Sequence, residues 1–189
     1  MQIIDITLIN QPDSIASYNT DGSANDVTAA TINGDLYAFI SDYSSGLDIV
    51  DISLPSDPLL IGSINMAGGF VNTCCIDANN EVAYIGYGTG IVHVFDISAL
   101  PNEPNILSTI NLGGGGSVNG LYVSGSYLYI AGGEAGLEIV NILNPSNPQV
   151  LSVFNTTGNA SDVAVNTNYA YVADSFNGML ILNVTDPSA

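Results

Sequence analysis

GLDIVDISLPSDP, residues 46–58, is written again along the chain as IVHVFDISALPNEP (91–104), as GLEIVNILNPSNP (136–148) and, cut short, as GMLILNVTDPSA (178–189). MQIIDITLINQPD (1–13) is the same phrase at the start. The acid or amide inside each copy is Asp5, Asp51, Asp96, Asn141 or Asn183, and these recur at intervals of 46, 45, 45 and 42 residues. A fixed period of that length, carried by β-branched residues and turn signals, marks a propeller or a solenoid. The repeat units run over about 1–45, 46–90, 91–135 and 136–177, with a partial fifth over 178–189, in one repeat domain spanning 1–189.

Within each period four strand-like segments recur. The phrase strand runs into a turn, and these turns hold all eight prolines: Pro12, Pro55, Pro58, Pro101, Pro104, Pro145, Pro148 and Pro187. Proline cannot donate to a sheet ladder, so its confinement there marks a strand end. A shorter strand follows: LLIGSIN (59–65), NILSTIN (105–111), QVLSVFN (149–155) and, near the start, DSIASYN (13–19). A Gly- and Ser-rich loop such as LGGGGS (112–117) leads to DVTAATI (26–32), NTCCIDA (72–78), NGLYVSG (119–125) and DVAVNTN (162–168). A tight turn such as Asn33-Gly34 then opens a strand in which Tyr37, Tyr84, Tyr129 and Tyr171 are expected to share one place. Turn signals every 8–12 residues and no helical periodicity argue for antiparallel β throughout. The expected fold is an all-β propeller of four four-stranded blades, closed or extended by strand exchange at the termini.

Composition bounds the partners. The chain has 18 acidic residues, no Lys or Arg and one histidine, His93. Phosphate neutralisation needs basic side chains, so nucleic acid is excluded. Anionic membrane surfaces are excluded for the same reason, and no apolar run approaches the ~20 residues of a membrane span. Met1 leads straight into strand-like IIDI without a basic region, so an exported protein is expected here in its mature form or as a part of it. Cys74 and Cys75 are adjacent and belong on opposite faces of a strand, as buried apolar residues rather than a disulfide framework.

The phrase GL-x-IV-D-I with its Pro-rich turn, together with DVAV (162–165) and YVAD (171–174), resembles the LVIVD repeat family of β-propeller surface proteins of bacteria and archaea. The resemblance implies a propeller on an extracellular or cell-surface protein and carries no catalytic residues to transfer. The chain departs from the pattern at IVHVFDI, which lacks the leading Gly-Leu, and at Gly86 to Gly90, where Ala-Asp is lost.

With DVTAATI-type strands innermost, the blades fall at 26–65, 72–111 and 119–155, with a fourth begun at 162. That fourth lacks an outer strand, while DSIASYN is an outer strand without a blade. Letting the amino-terminal segment finish the last blade closes four blades, except that residues 1–6 and 179–184 both claim its third place. One strand is surplus. An unpaired apolar strand edge pairs readily with another chain. The expectation is therefore self-association, with Ile3, Ile4, Ile6, Leu180, Ile181, Leu182 and Val184 at the interface, head-to-tail into a filament if the rotation does not close. A fraying strand, two chains sharing a larger ring and an excised piece of a longer propeller are the competing explanations.

The polar residues opening the inner strands, Asp26, Asn72, Asn119 and Asp162, would ring one mouth of the axial channel, and such oxygen ligands suit Ca2+. The competing role is to cap the preceding loops. Asp42, Glu134 and Asp174 form a second, weaker cluster. Because Asn141 and Asn183 replace Asp51 and Asp96, that position needs an oxygen acceptor in a turn rather than a general base. Two functions follow: a non-enzymatic structural or adhesive module, or a ligand- or Ca2+-binding, less readily glycan-hydrolysing, propeller with its site at the channel mouth.

Overall fold

The computed structural model describes residues 1–65 and 69–187. It is all-β, with seventeen strands and a 3-10 turn over Ser175–Asn177 among the described residues. β1 (Gln2–Asp5) and β2 (Asp13–Ser17) form a hairpin. Blade 1 is β3 (Asp26–Ile32), β4 (Asp35–Ser41), β5 (Leu47–Asp51) and β6 (Leu59–Ile64), and blade 2 is β7 (Val71–Asp77), β8 (Val82–Tyr87), β9 (Ile91–Asp96) and β10 (Asn105–Asn111). Blade 3 is β11 (Gly120–Ser124), β12 (Tyr127–Ala131), β13 (Leu137–Asn141) and β14 (Gln149–Phe154). Blade 4 has three strands, β15 (Asp162–Asn166), β16 (Tyr169–Ala173) and β17 (Met179–Asn183). Every sheet is antiparallel, in the expected order of inner, second, phrase and outer strand.

The recurring acid or amide stops each phrase strand by one device. Its side-chain oxygen accepts the backbone N–H two residues on: Asp5 from Thr7 at 2.8 Å, Asp51 from Ser53 at 2.8 Å, Asp96 from Ser98 at 2.9 Å, Asn141 from Leu143 at 2.9 Å and Asn183 from Thr185 at 3.0 Å. Asp and Asn do this equally well, which is why both occur there.

The core lies between blades. Phe39, Leu47 and Ile49 of blade 1 meet Cys74, Ala83 and Ile85 of blade 2. Tyr84, Val92 and Val94 of blade 2 meet Leu128, Ile130 and Val140 of blade 3. Tyr129, Leu137 and Ile139 of blade 3 meet Val163, Val172, Leu180 and Leu182 of blade 4. Each fully buried aliphatic side chain contributes about 1.5–3 kcal/mol, so a blade is stabilised chiefly by its neighbours. Backbone bonds clasp successive blades, Val71 N–H to the Tyr43 carbonyl at 3.0 Å, Val118 N–H to Tyr87 at 3.1 Å and Ala160 N–H to Gly133 at 3.0 Å. Cys74 and Cys75 are free and face opposite sides, one to each neighbouring blade, and burial pushes the Cys74 thiol up to about 12.

Two expectations need correction. Tyr84, Tyr129 and Tyr171 do share one place, opposite Val94, Ile139 and Ile181, but Tyr37 stands two residues away, in line with Tyr127 and Tyr169. Phe39 takes the shared place in blade 1. A step of two keeps the side chain on the same face, so the interblade core accepts either arrangement. The amino-terminal hairpin also does not finish blade 4. β1 pairs only with β2, and β17 only with β16, among the described residues. The inner strands pack in the succession β3, β7, β11, β15, and β15 makes no comparable contact with β3.

Candidate assembly interface and axial channel

The open gap between blade 4 and the hairpin is where the molecule departs most from its own repeat. β1 repeats β5 and β13 residue for residue, so Met1 and Ile3 take the places that face the following blade, and Gln2 and Ile4 those that face the preceding one. Met1 and Tyr18 accordingly pack on Ala38, Ile40 and Val50 of blade 1, and the Tyr18 hydroxyl donates to Asp48 at 3.4 Å. The hairpin thus occupies the outer half of a blade place beside blade 1. Val27 on β3 and Leu36 on β4, which would lie under the inner half, are exposed.

At the other end, Leu180, Leu182 and Val184 turn inward onto blade 3. They were expected at an interface, but strand alternation commits them to the core. Ile181 is the residue of β17 that meets that expectation. Its counterparts Ile49, Val94 and Ile139 are 1%, 0% and 6% exposed, and Ile181 is 56% exposed because no blade follows it. Met179 beside it, and Phe176 at the tip of the preceding turn, are also bare. Ile4 and Ile6 are exposed as expected, and Ile3 is half-buried. Met179 and Phe154 were missed. Strand alternation with the known strand order would have found Met179, but nothing in the chain marks Phe154.

The four inner strands surround a space of about 520 Å3. Its mouth does not carry the expected ring of four oxygen ligands. By pairing, the residues level with Asp26 and Asp162 are Thr73 and Gly120, whereas Asn72 and Asn119 sit one position earlier. The bulge between Val71 and Thr73 leaves Asn72 outside the ladder, and Asn119 precedes the first paired residue of β11. Both amides hold the next blade instead: Asn72 Nδ2 donates to the Val118 carbonyl and Ser117 hydroxyl, both at 3.1 Å, and Asn119 Nδ2 to the Ala160 carbonyl at 3.0 Å. Asp26 is engaged by the Thr73 hydroxyl at 2.8 Å and the Cys74 N–H at 3.2 Å. Asp162 accepts its neighbour Val163 N–H at 2.8 Å and remains exposed at the channel. Among the described residues no group of three or more His, Cys, Asp or Glu is placed to hold a metal.

The second cluster separates in the same way. Asp42 and Asp174 hold equivalent places in blades 1 and 4, each closing a five-residue turn onto Gly46 or Gly178. Asp42 accepts Thr20 Oγ1 at 2.7 Å and Gly22 N–H at 2.6 Å, tying down the loop that enters its own blade. Glu134 is exposed on blade 3. His93 occupies the place of Asp48 and Glu138, its Nδ1 2.9 Å from Thr109 Oγ1, and burial lowers its pKa. Glu138 is fully buried, with one oxygen on Gly113 N–H at 2.9 Å, and burial raises its pKa.

Solved structures share this fold at low identity. The chain resembles the β-propeller domain of Myceliophteria thermophila Cps50 (Swd1), with a TM-score of 0.69 and 14% identity over 97% of this chain and 63% of that one. It resembles the computationally designed Ika4 protein (TM-score 0.65, 13% identity, 89% of this chain and 95% of that one). It also resembles the designed Ika8 protein (TM-score 0.66, 12% identity), of which it covers 50%, with 92% of its own length matched. No curated protein matches the chain significantly. The LVIVD repeat model matches residues 21–66, 115–156 and 157–189, that is blades 1, 3 and 4, and passes over blade 2, where the phrase lacks Gly-Leu. With its fold a β-propeller and most of its length covered by these matches, the chain belongs to the LVIVD repeat family.

Proposed function

We propose that this chain is a non-enzymatic structural or adhesive module of the cell surface or extracellular space, which joins copies of itself head-to-tail into a filament by completing an unfinished blade. The observation that carries the reading is the pair of complementary half-blades. One end offers inner, second and phrase strands, the other a phrase strand and an outer strand, and the two lie in separate sheets. Apolar Ile181 and Met179 face the gap from one side and Ile4 from the other. Such a contact uses a different patch on each partner, so it propagates unless its rotation closes. The fates of the polar groups support a non-enzymatic role, since the recurring acids stop strands and Asp42 ties down a loop. A chain without Lys or Arg also offers no cleavage point to proteases that cut after those residues, which suits an exposed location.

Electron microscopy and light scattering of the 189-residue chain test this. Filaments are expected, and with a formal charge of −18 per copy they should weaken at low salt, where repulsion is unscreened. Removal of residues 179–189 should abolish them. A monomer at all salt and protein concentrations would overturn the reading.

A second reading, a ligand- or Ca2+-binding propeller, draws on the channel mouth, where Asp26 and Asp162 flank the central space. Glycan hydrolysis there would require one of the pair as acid and the other as base, and Asp26 is already engaged by blade 2. A rise in melting temperature on adding Ca2+, reversed by EDTA, would support the binding reading, and no change would end it.

A further inference from the structure

We infer that the junction is made by one strand, β2 of a second copy laid along β17, and that β1 is the phrase copy given up; this rests on the self-association proposed above. β1 and β17 run in the same sense in their blades, as all phrase strands do. In a head-to-tail junction they would therefore lie parallel if they met directly, in a ladder that is antiparallel throughout. One must leave. β16 with β1, or β17 with β2, are the two antiparallel solutions.

Three features of β17 point to the second. It is rooted in the core through Leu180, Leu182 and buried Val184, whereas Ile4, which holds the place of Leu182 in β1, is exposed. The glycine before it keeps a space that the end of the outer strand fills in blades 1 and 3. A Cβ on Gly46 or Gly136 would collide with the carbonyl of Ile64 or Phe154 at the end of the outer strand, while Gly178 has nothing within 4 Å. Phe154, the last residue of β14, is 49% exposed, where Ile64 and Ile110 at the same place are 9% and 5%. Blades 1 and 2 are each followed by a four-stranded blade and blade 3 by a three-stranded one.

β2 is written to fill that place. Ile15-Ala16-Ser17-Tyr18-Asn19 repeats Ile61-Gly62-Ser63-Ile64-Asn65 of blade 1. Its pairing with β1 carries the bulge seen between the phrase and outer strands of blades 1 and 3. Since β1 is a copy of β17, its observed partners transfer directly: Gln2↔Ser17, Ile3↔Ala16 and Ile4↔Ser14 become Leu180↔Ser17, Ile181↔Ala16 and Leu182↔Ser14.

The test is an equimolar mixture of an Ala16→Cys chain and an Ile181→Cys chain, oxidised under assembling conditions, beside a mixture of Ile3→Cys and Tyr171→Cys chains. The native thiols stay silent, Cys74 because burial raises it to about 12. A crosslinked dimer from the first mixture alone is expected, and deletion of residues 1–6 should leave assembly intact. A dimer from the second mixture alone, with assembly lost on that deletion, would overturn the inference and leave self-association standing. A parent chain that stays monomeric and crosslinks in neither mixture would remove both. The melting temperature of each variant guards against misfolding, and Ser17→Cys with Leu180→Cys is the substitute pair.

Discussion

Blades 3 and 4 carry the same phrase to opposite ends. In GLEIV, Leu137 and Ile139 vanish between two sheets, while in GMLIL the equivalent Met179 and Ile181 stand in solvent. The strands match in length and in their ladder to the second strand of the blade, so the phrase itself does not separate them. What differs is the neighbour. Burial in this molecule is a property of the interface between repeats, and no repeat among the described residues packs on that face of blade 4.

The sharpest way to break the comparison is to truncate both members of the pair. Ile139→Ala should cost roughly 2–5 kcal/mol, as a cavity in a packed core does. Ile181→Ala should cost the isolated chain less than about 0.5 kcal/mol, the usual range for a surface change, yet weaken assembly. Denaturant melts of both variants, with sedimentation of the second, check this, and equal costs would put Ile181 in a core after all. The glycines sharpen it further. Gly136→Ala meets the Phe154 carbonyl as well as a positive φ of 84°, and should exceed the roughly 1–2 kcal/mol that left-handed backbone alone costs. Gly178→Ala, at φ 79° and ψ −128° with open space around it, should show only the roughly 1–3 kcal/mol of a sparsely populated backbone region in the monomer and a larger loss in the assembled form.

Glu138 gives a pH-dependent contrast with the uncharged Leu180 at the same place in blade 4. Its pKa is raised in the folded state, so its stabilising contribution is full below about 4.5 and is lost as pH rises through the folded value. The Glu138→Gln chain should therefore gain stability relative to its parent above that window and lose the advantage below it, read as the difference in melting temperature between pH 4 and 7. The smallest effect belongs to the strand stop that all repeats share. Asp51→Asn should be neutral within ~0.5 kcal/mol, and Asp51→Ala should cost ~1 kcal/mol, the worth of one hydrogen bond.

Much of this architecture was legible because the phrase repeats. Period, blade order and the acceptor role of Asp51 and Asn141 all follow from aligned copies, since each depends on residues that recur. What was misread depends on pairing that letters do not record. Tyr37 aligns by identity with Tyr84 but by ladder with Tyr127, and Asn72 aligns by letter with Asp26 although the ladder puts Thr73 at the level of Asp26. Leu180 and Leu182 looked available because the phrase is apolar on both faces, and only the position of blade 3 decides which face is taken. The surplus of one phrase strand was legible by counting, but its remedy was not, since the gap between β15 and β3 is a fact of three-dimensional closure.

The clasps between successive blades have an evolutionary consequence. Tyr43 and Tyr87 offer their carbonyls to the N–H groups of Val71 and Val118, and Gly133 and Ala160 exchange both backbone bonds, to join one repeat to the next. Because these backbone bonds need no particular side chain, a duplicated unit is born already able to dock on its parent, with amides such as Asn72 and Asn119 adding to the hold, and either copy can then drift. Blade 2 has drifted far enough that the family pattern no longer recognises it, yet it keeps both clasps.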